Sequence, residues 1–371
     1  MNCADGMSNE PPAPVFHILS GPISSLCSCL GIIGNVQLLR LLQSKAANEF
    51  SCLFTASVSA LAIADIILLI SSLFGYSIPL CYSYFGLNYG INYSVLIAHI
   101  VACASNTAAI WLVTLITIQR YRAIAKPFLM MQMRTLSIPS PRRSAISLSA
   151  LSNFSYEKSF RYCRWPILVS ILAAILNIPL FFELTITNCS NDSKIIIQTP
   201  LRYHIIYKIL YRAIFKSLFE TIGPFIAVLI ITILTQSLIQ QNRNARTELM
   251  NKTSKYKREE TSLKPFTYVA VTMRNYDVIL SYYSVVIAVK FLLFHFLVPA
   301  LDLWEALLPL NIGLFNNAVA ISNFLVLIDA CTNCLIYLRW KFVKMGIKCC
   351  IMQKEENSIA DQKRSFISTN T

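Results

Sequence analysis

Long stretches without a charged side chain alternate along this chain with short segments rich in Lys and Arg. The longest, residues 66–119, contains neither an acid nor a base over 54 positions. A helix needs about 20 mostly apolar residues to cross the hydrocarbon core of a bilayer. This stretch therefore has room for the rest of one spanning helix, a turn at residues 85–90, where Gly and Asn collect, and a second helix.

The other stretches, read in the same way, bring the predicted number of spanning helices to seven. Single charged side chains interrupt three of the helices, at Asp65, Lys290 and Asp329, and the first half of the helix from about 204 also carries charges. The predicted spans comprise residues 11–39, two helices between 50 and 119, 165–182, a helix from about 204 to 242, 278–301 and 306–338. The pattern thus predicts an all-α membrane protein, folded as a seven-transmembrane helix bundle.

The distribution of positive charge predicts the orientation of the bundle. Of the 32 Lys and Arg residues, 26 fall in the connections on one side and two, Lys194 and Arg202, on the other. Because positively charged loops stay in the cytoplasm, residues 1–16 are expected outside the cell. The predicted organisation is then an extracellular N-terminus (1–16), a membrane domain (17–338) with cytoplasmic loops at about 120–164 and 239–277, and a cytoplasmic tail (339–371).

Composition supports a membrane protein and argues against a soluble partner of nucleic acid. Apolar residues make up 55% of the chain and charged residues only 13%, with a mean hydropathy of +0.56. The formal net charge of +14 lies in the short connections between spans and not on one face of a soluble domain. Two glycosylation sequons, at Asn188 and Asn191, fall in a connection that is predicted to be extracellular.

Four polar residues inside the predicted spans are candidates for function, because polar groups in a bilayer are costly. They are Asn35 in the first span, Asp65 in the second, and Asp329 and Asn333 in the seventh. Asp329 and Asn333 are four residues apart and so share one face of their helix. Amides and carboxyls in such places also serve simply as hydrogen bonds between helices.

The chain resembles the rhodopsin-like G-protein-coupled receptors over about residues 20–350. In each span a short motif carries the resemblance. These motifs are Gly34-Asn35, Leu61-Ala62 with Asp65, Gln119-Arg120-Tyr121 followed by Pro127, Trp165, Pro224, Pro299, and Asn333 with Tyr337. Within the family, residues 177–183 and 322–326, a tyrosine ladder before Pro224 and an Asn-x-x-Ile-Tyr ending are similar to invertebrate FMRFamide-type neuropeptide receptors.

The resemblance implies a plasma-membrane receptor that binds a short amidated neuropeptide outside and a heterotrimeric G protein inside. Arg120 and Tyr121, with Tyr337 and a hinge at Pro299, are then expected to form the switch. Gln119 stands where the family usually has an acid beside the arginine, which predicts elevated basal activity. Leu297, Val95 and Lys290 are further departures, so a receptor-like protein with degenerate signalling stays open.

The resemblance also narrows the ligand. Ala102 stands where amine receptors need a carboxylate, and Leu327 stands where opsins need a lysine. An amine ligand and a retinal ligand are therefore not expected. We expect a cationic peptide to meet Asp302, Trp304 and Glu305 first, and then Glu220 and Tyr211 at a deeper site. An internal Lys216–Glu220 pair is an equal alternative for Glu220. Glu183 is the fourth candidate acid for binding a cationic ligand. The main alternative is an acidic peptide that binds Lys208, Arg212 and Lys216.

Two further sites follow from the family pattern. Asp65 and Asn333, with Asp329 and Asn35, are expected to hold a sodium ion, the alternative being a neutral, hydrogen-bonded pair of acids. Because Val95 cannot supply the usual thiol, Cys81 is proposed to bridge Cys189, with Cys3 as the competing partner. Outside the motifs, Cys349 and Cys350 follow a basic and aromatic stretch after the last span and are candidates for palmitoylation.

Two other classes of function compete with the receptor. A seven-helix transporter or channel is the alternative, although no inverted repeat is visible. An enzyme is not expected, because the four histidines are scattered and show no metal-binding spacing. No cofactor other than sodium is expected, and the partners are an extracellular peptide, a G protein and membrane lipid.

Overall fold

Six long apolar helices dominate the fold of this protein. A computed structural model describes residues 18–43, 52–85, 93–125, 164–188, 194–256, 285–307 and 313–336. Each of the six is long and apolar enough to span a membrane, so the chain is a multi-pass, all-α membrane protein. They are α1 (Leu19–Gln43), α2 (Leu53–Tyr82), α3 (Tyr93–Ala125), α4 (Arg164–Glu183), α5 (Ile209–Gln241) and α7 (Gly313–Ile336).

The remaining apolar helix of the described residues, α6, is shorter. It covers Val285–Leu301, and a helix from Leu297 continues to Leu307 after a turn at Phe296. Pro299 has no backbone N–H, so it cannot donate to the carbonyl of His295 one helical turn earlier. The interruption at Phe296 falls within the turn that this missing hydrogen bond would have closed.

Helix α5 changes its winding near its middle. Residues Tyr207–Ile222 form wide π-helical turns, and an α-helix follows from Gly223 to Tyr256. At the junction the N–H of Gly223 donates to the carbonyl of Leu218, five residues earlier. The segment predicted as a cytoplasmic loop at 239–277 is helical as far as Tyr256. Its polar residues in this part are mostly adequate helix formers.

A short β-hairpin follows α4 directly and was not predicted. Strand β1 (Leu184–Asn188) pairs antiparallel with β2 (Lys194–Gln198), with Ile186 opposite Ile196 in the centre. Polar and apolar residues alternate only weakly along the hairpin, so the sequence pattern did not indicate strands between the apolar helices. One turn of helix, Pro200–Tyr203, then leads toward α5.

Apolar residues fill the centre of the bundle and also cover its outside. Leu61 and Val58 of α2 pack with Leu112 and Ile116 of α3, and all four are at most 1% exposed. In contrast, large apolar side chains such as Leu26 of α1 are exposed by 63%. An apolar outer surface is the form that a lipid environment requires, which agrees with membrane lipid as a partner.

Candidate functional site

The polar residues of the predicted motifs on α1, α2 and α7 meet in the middle of the bundle. The amide nitrogen of Asn35 donates to the carbonyl of Ala330 on α7 at 3.1 Å and to that of Gly31 at 3.0 Å. The two helices come this close because Gly34 has no side chain, and a Cβ there would overlap the sulfur of Cys334. Asn35 is fully buried and thus ties α1 to α7.

Asp65 of α2 is joined to the same place by Asn333. The amide nitrogen of Asn333 donates to a carboxylate oxygen of Asp65 at 2.9 Å, and both residues are at most 2% exposed. This contact places two residues of the predicted sodium site next to each other. Their helices are 268 positions apart in sequence, so only the fold brings them together.

Lys290 of α6 supplies a positive charge to this cluster. Its ammonium lies 3.0 Å from a carboxylate oxygen of Asp329 and donates to the oxygen of the Asn333 amide at 2.6 Å. It also donates to the backbone carbonyl of Asp329 at 2.7 Å and to the hydroxyl of Thr332 at 3.1 Å. The sequence identified this lysine as unusual but gave it no role.

The residues predicted to hold sodium lie close together. However, the arrangement of their oxygen and nitrogen atoms suits an ammonium group better than a metal ion. The oxygen of the Asn333 amide accepts from Lys290, and its nitrogen points to Asp65. The second oxygen of Asp329 lies 3.4 Å from Nε2 of His295. Within the described part of the chain, no three metal-ligating side chains of the His, Cys, Asp or Glu type cluster together.

At the end of the bundle that is predicted to face the cytoplasm, Gln119 and Arg120 each contact α2. The amide nitrogen of Gln119 donates to the hydroxyl of Ser57 at 2.8 Å, and Gln119 is 8% exposed. The guanidinium of Arg120 lies over the ring of Phe54, 3.3 Å from its centroid, in a cation–π contact. The neighbouring Tyr121 is half-buried in α3.

At the opposite end, which is predicted to be extracellular, Glu183 joins the segment after α4 to the start of α5. Its carboxylate accepts a hydrogen bond from the hydroxyl of Tyr207 at 2.8 Å and lies 3.7 Å and 3.8 Å from Arg202 and Arg212. Its main-chain carbonyl also accepts from Thr199 at 2.9 Å. Burial, with the adjoining Glu183 carboxylate, raises the pKa of the Tyr207 phenol above its usual range.

Glu220, predicted as the deeper ligand contact, already has partners inside the bundle. Asn177 of α4 donates to its carboxylate at 3.1 Å and to the hydroxyl of Thr107 at 3.0 Å. Lys216 lies 3.9 Å from the other carboxylate oxygen, so the predicted internal pair is present. Asn177, which the sequence analysis had not identified as a site residue, joins α3, α4 and α5.

Aromatic side chains flank these charged groups. Tyr211 stacks between Tyr207 and Phe215, with ring centroids 5.0 Å and 6.0 Å apart, and its hydroxyl donates to the carbonyl of Leu176. Trp304, predicted as part of the entrance, lies edge-on to Phe315 at 6.1 Å. The structure describes the backbone of Asp302 and Glu305, but not their side chains.

Several other predicted positions stay untested. Cys81 is half-buried near the outer end of α2, and Asn188 ends β1. Pro299 lies in the helix Leu297–Leu307 and is half-buried. Seven predicted positions lie outside the described residues: Cys3, Pro127, Cys189, Asn191, Tyr337, Cys349 and Cys350.

No protein-family model and no curated protein matches this chain.

Proposed function

We propose that this chain is a rhodopsin-like G-protein-coupled receptor, with seven spans, an extracellular N-terminus and a place in the plasma membrane. The observation that carries the proposal is the contact of Asn333 with Asp65 beside that of Asn35 with Ala330. These residues come from three separate motifs of the resemblance. Motifs that matched by chance would have no reason to meet in the centre of one bundle.

The inner end supports a switch at Arg120. A ligand can shift a receptor between two states only by the difference in its affinity for those states. The cation–π contact with Phe54 stabilises the position of Arg120 in the structure described here. A state in which Arg120 leaves Phe54 exposes a guanidinium to the cytoplasm, where the proposed G protein binds.

The outer end bears on the charge of the proposed peptide ligand. Glu183 and Glu220 are both buried and both lie near Lys or Arg side chains, so an incoming guanidinium would have to compete with these cations. This competition favours an acidic group on the ligand, whereas a cationic amidated peptide would depend on Asp302 and Glu305.

A transporter or channel is the second candidate. Ionisable residues within a membrane often mark pathways for ions or protons. The observation that favours it is the alignment of Asp65, Asn333, Lys290 and Asp329 in one cluster.

The test is a screen of amidated and acidic peptides on cells that express the full chain, with calcium and cyclic-nucleotide responses as readouts. A response that Arg120→Ala abolishes while labelled peptide still binds supports the receptor. The matched control is Arg122→Ala, because Arg122 is exposed two residues later. Peptide-independent solute flux, with no response to any peptide, would favour the transporter.

The same assay decides the charge of the ligand. Loss of a charge-assisted hydrogen bond costs about 1.5–3 kcal/mol. For an active cationic peptide, replacement of arginine by citrulline should weaken binding by that amount, and Lys216→Met should have little effect. For an acidic peptide, amidation of the acid and Lys216→Met should each weaken binding.

A further inference from the structure

Lys290 occupies an unusual position for an ammonium group. It lies in the short apolar helix α6, and its side chain is 13% exposed. A charge in such a place is tolerated only when polar partners replace its water shell. Lys290 has three hydrogen-bond acceptors and one carboxylate, all within 3.1 Å and all on α7. The lysine is therefore fixed by one short segment, Asp329–Asn333.

The contacts of Lys290 occupy the oxygen atoms of Asp329 and Asn333 that a small cation would need as ligands. A sodium ion between Asp65 and Asp329 would bind carboxylate and amide oxygens. The amide oxygen of Asn333 already accepts from Lys290, and its nitrogen donates to Asp65. The ammonium also supplies the positive charge that a metal ion would otherwise bring to the two acids.

We propose that Lys290 is the built-in cation of this polar core, a covalently attached replacement for a bound sodium ion, and that it joins α6 to α7. Unlike a dissolved ion, it is present at every salt concentration. Helix α6 cannot move away from α7 without breaking the contacts of Lys290 with Asp329 and Asn333. The resting arrangement of the two helices is therefore held by the chain itself, and it does not respond to extracellular sodium.

The experiment measures thermal unfolding of the purified full chain in detergent, with sodium chloride or choline chloride at equal ionic strength. A ligand that binds only the folded state raises the midpoint as its concentration rises above its dissociation constant. The wild type should unfold at the same temperature in both salts. Lys290→Met keeps a side chain of similar length without charge, and its midpoint should fall in choline and rise again with added sodium.

Two further variants test the assignment. Lys290→Arg retains the positive charge and should stay insensitive to sodium. Lys290→Met combined with Asp329→Asn leaves a single carboxylate in the core, and most of the sodium effect should disappear.

The proposal is overturned if sodium stabilises the wild type specifically, or if Lys290→Met is as insensitive to sodium as the wild type. If Lys290→Met does not fold, the sodium titration of the wild type and of Lys290→Arg decides alone. Because the readout is stability and needs no ligand or G protein, its failure is separate from failure of the proposed receptor function.

Discussion

The indole N–H of Trp111 in α3 donates to the backbone carbonyl of Phe219 in α5 at 3.0 Å. In the π-helical register of this segment, that carbonyl would accept from residue 224, five positions later. Residue 224 is a proline and has no N–H to donate. The indole thus takes the place of a missing backbone donor and joins two helices at the point where α5 changes its winding.

Replacement of Trp111 by Phe should destabilise the protein by about 0.5–1.5 kcal/mol, the net value of one hydrogen bond, apart from the change in packing. The control is the same substitution in a Pro224→Ala background, where residue 224 can donate to Phe219 itself. Thermal unfolding of the four proteins should show a smaller loss in that background. Equal losses would mean that the indole does not compensate for the proline.

Gly34→Ala should lower the unfolding temperature, because the new methyl group overlaps the sulfur of Cys334. Overpacking of this kind costs roughly 1–3 kcal/mol. The double variant Gly34→Ala/Cys334→Ala removes the sulfur and should recover most of the loss. A double variant no more stable than Gly34→Ala would contradict the close approach of α1 and α7 at this point.

Gln119→Glu should lower basal signalling several-fold in cells, because a carboxylate beside Arg120 can neutralise it, whereas an amide cannot. The substitution also ends the donation from Gln119 to Ser57. Ser57→Ala is the matched control, since it removes the same hydrogen bond without adding charge. The charge explanation requires that basal activity falls in Gln119→Glu and not in Ser57→Ala.

Phe54→Leu should raise basal signalling, because it removes the ring beneath the guanidinium of Arg120. A cation–π contact contributes about 0.5–2 kcal/mol, so the balance between states should shift by roughly two- to thirty-fold. Phe54→Trp keeps an aromatic face and should signal less than Phe54→Leu. Unchanged basal activity in both variants would separate Phe54 from the switch.

Glu183→Gln should destabilise the outer end by about 1–3 kcal/mol, because it leaves Arg202 and Arg212 without their buried counter-charge. Glu248→Gln is the control, since Glu248 is exposed near the end of the helix that continues α5. Thermal unfolding and delivery to the cell surface are the readouts. Similar behaviour of the two variants would show that the Glu183 cluster contributes little.

Sequence predicted the six long apolar helices because a membrane leaves few alternatives. In hydrocarbon every backbone N–H and C=O must be satisfied internally, so an apolar stretch of sufficient length becomes a helix. The predicted span at 165–182 corresponds to Arg164–Glu183, and the predicted turn at 85–90 begins where α2 ends. The hairpin after α4 escaped prediction because a strand depends on its partner strand and not on its own length.

What sequence determined by itself is therefore which segments enter the membrane and which of their residues are too polar to be there by chance. The partners of these residues were decided by the tertiary structure alone. Sequence assigned sodium to Asp65 and Asp329, but the rotation of α6 brings Lys290 to Asp329 and Asn333. Sequence also gave no hydrogen-bond partner for Gln119 or Asn177. In the folded bundle Gln119 donates to Ser57, and Asn177 donates to Glu220. Periodicity defines the face of each helix, whereas contacts between helices far apart in sequence depend on how those faces are rotated against one another.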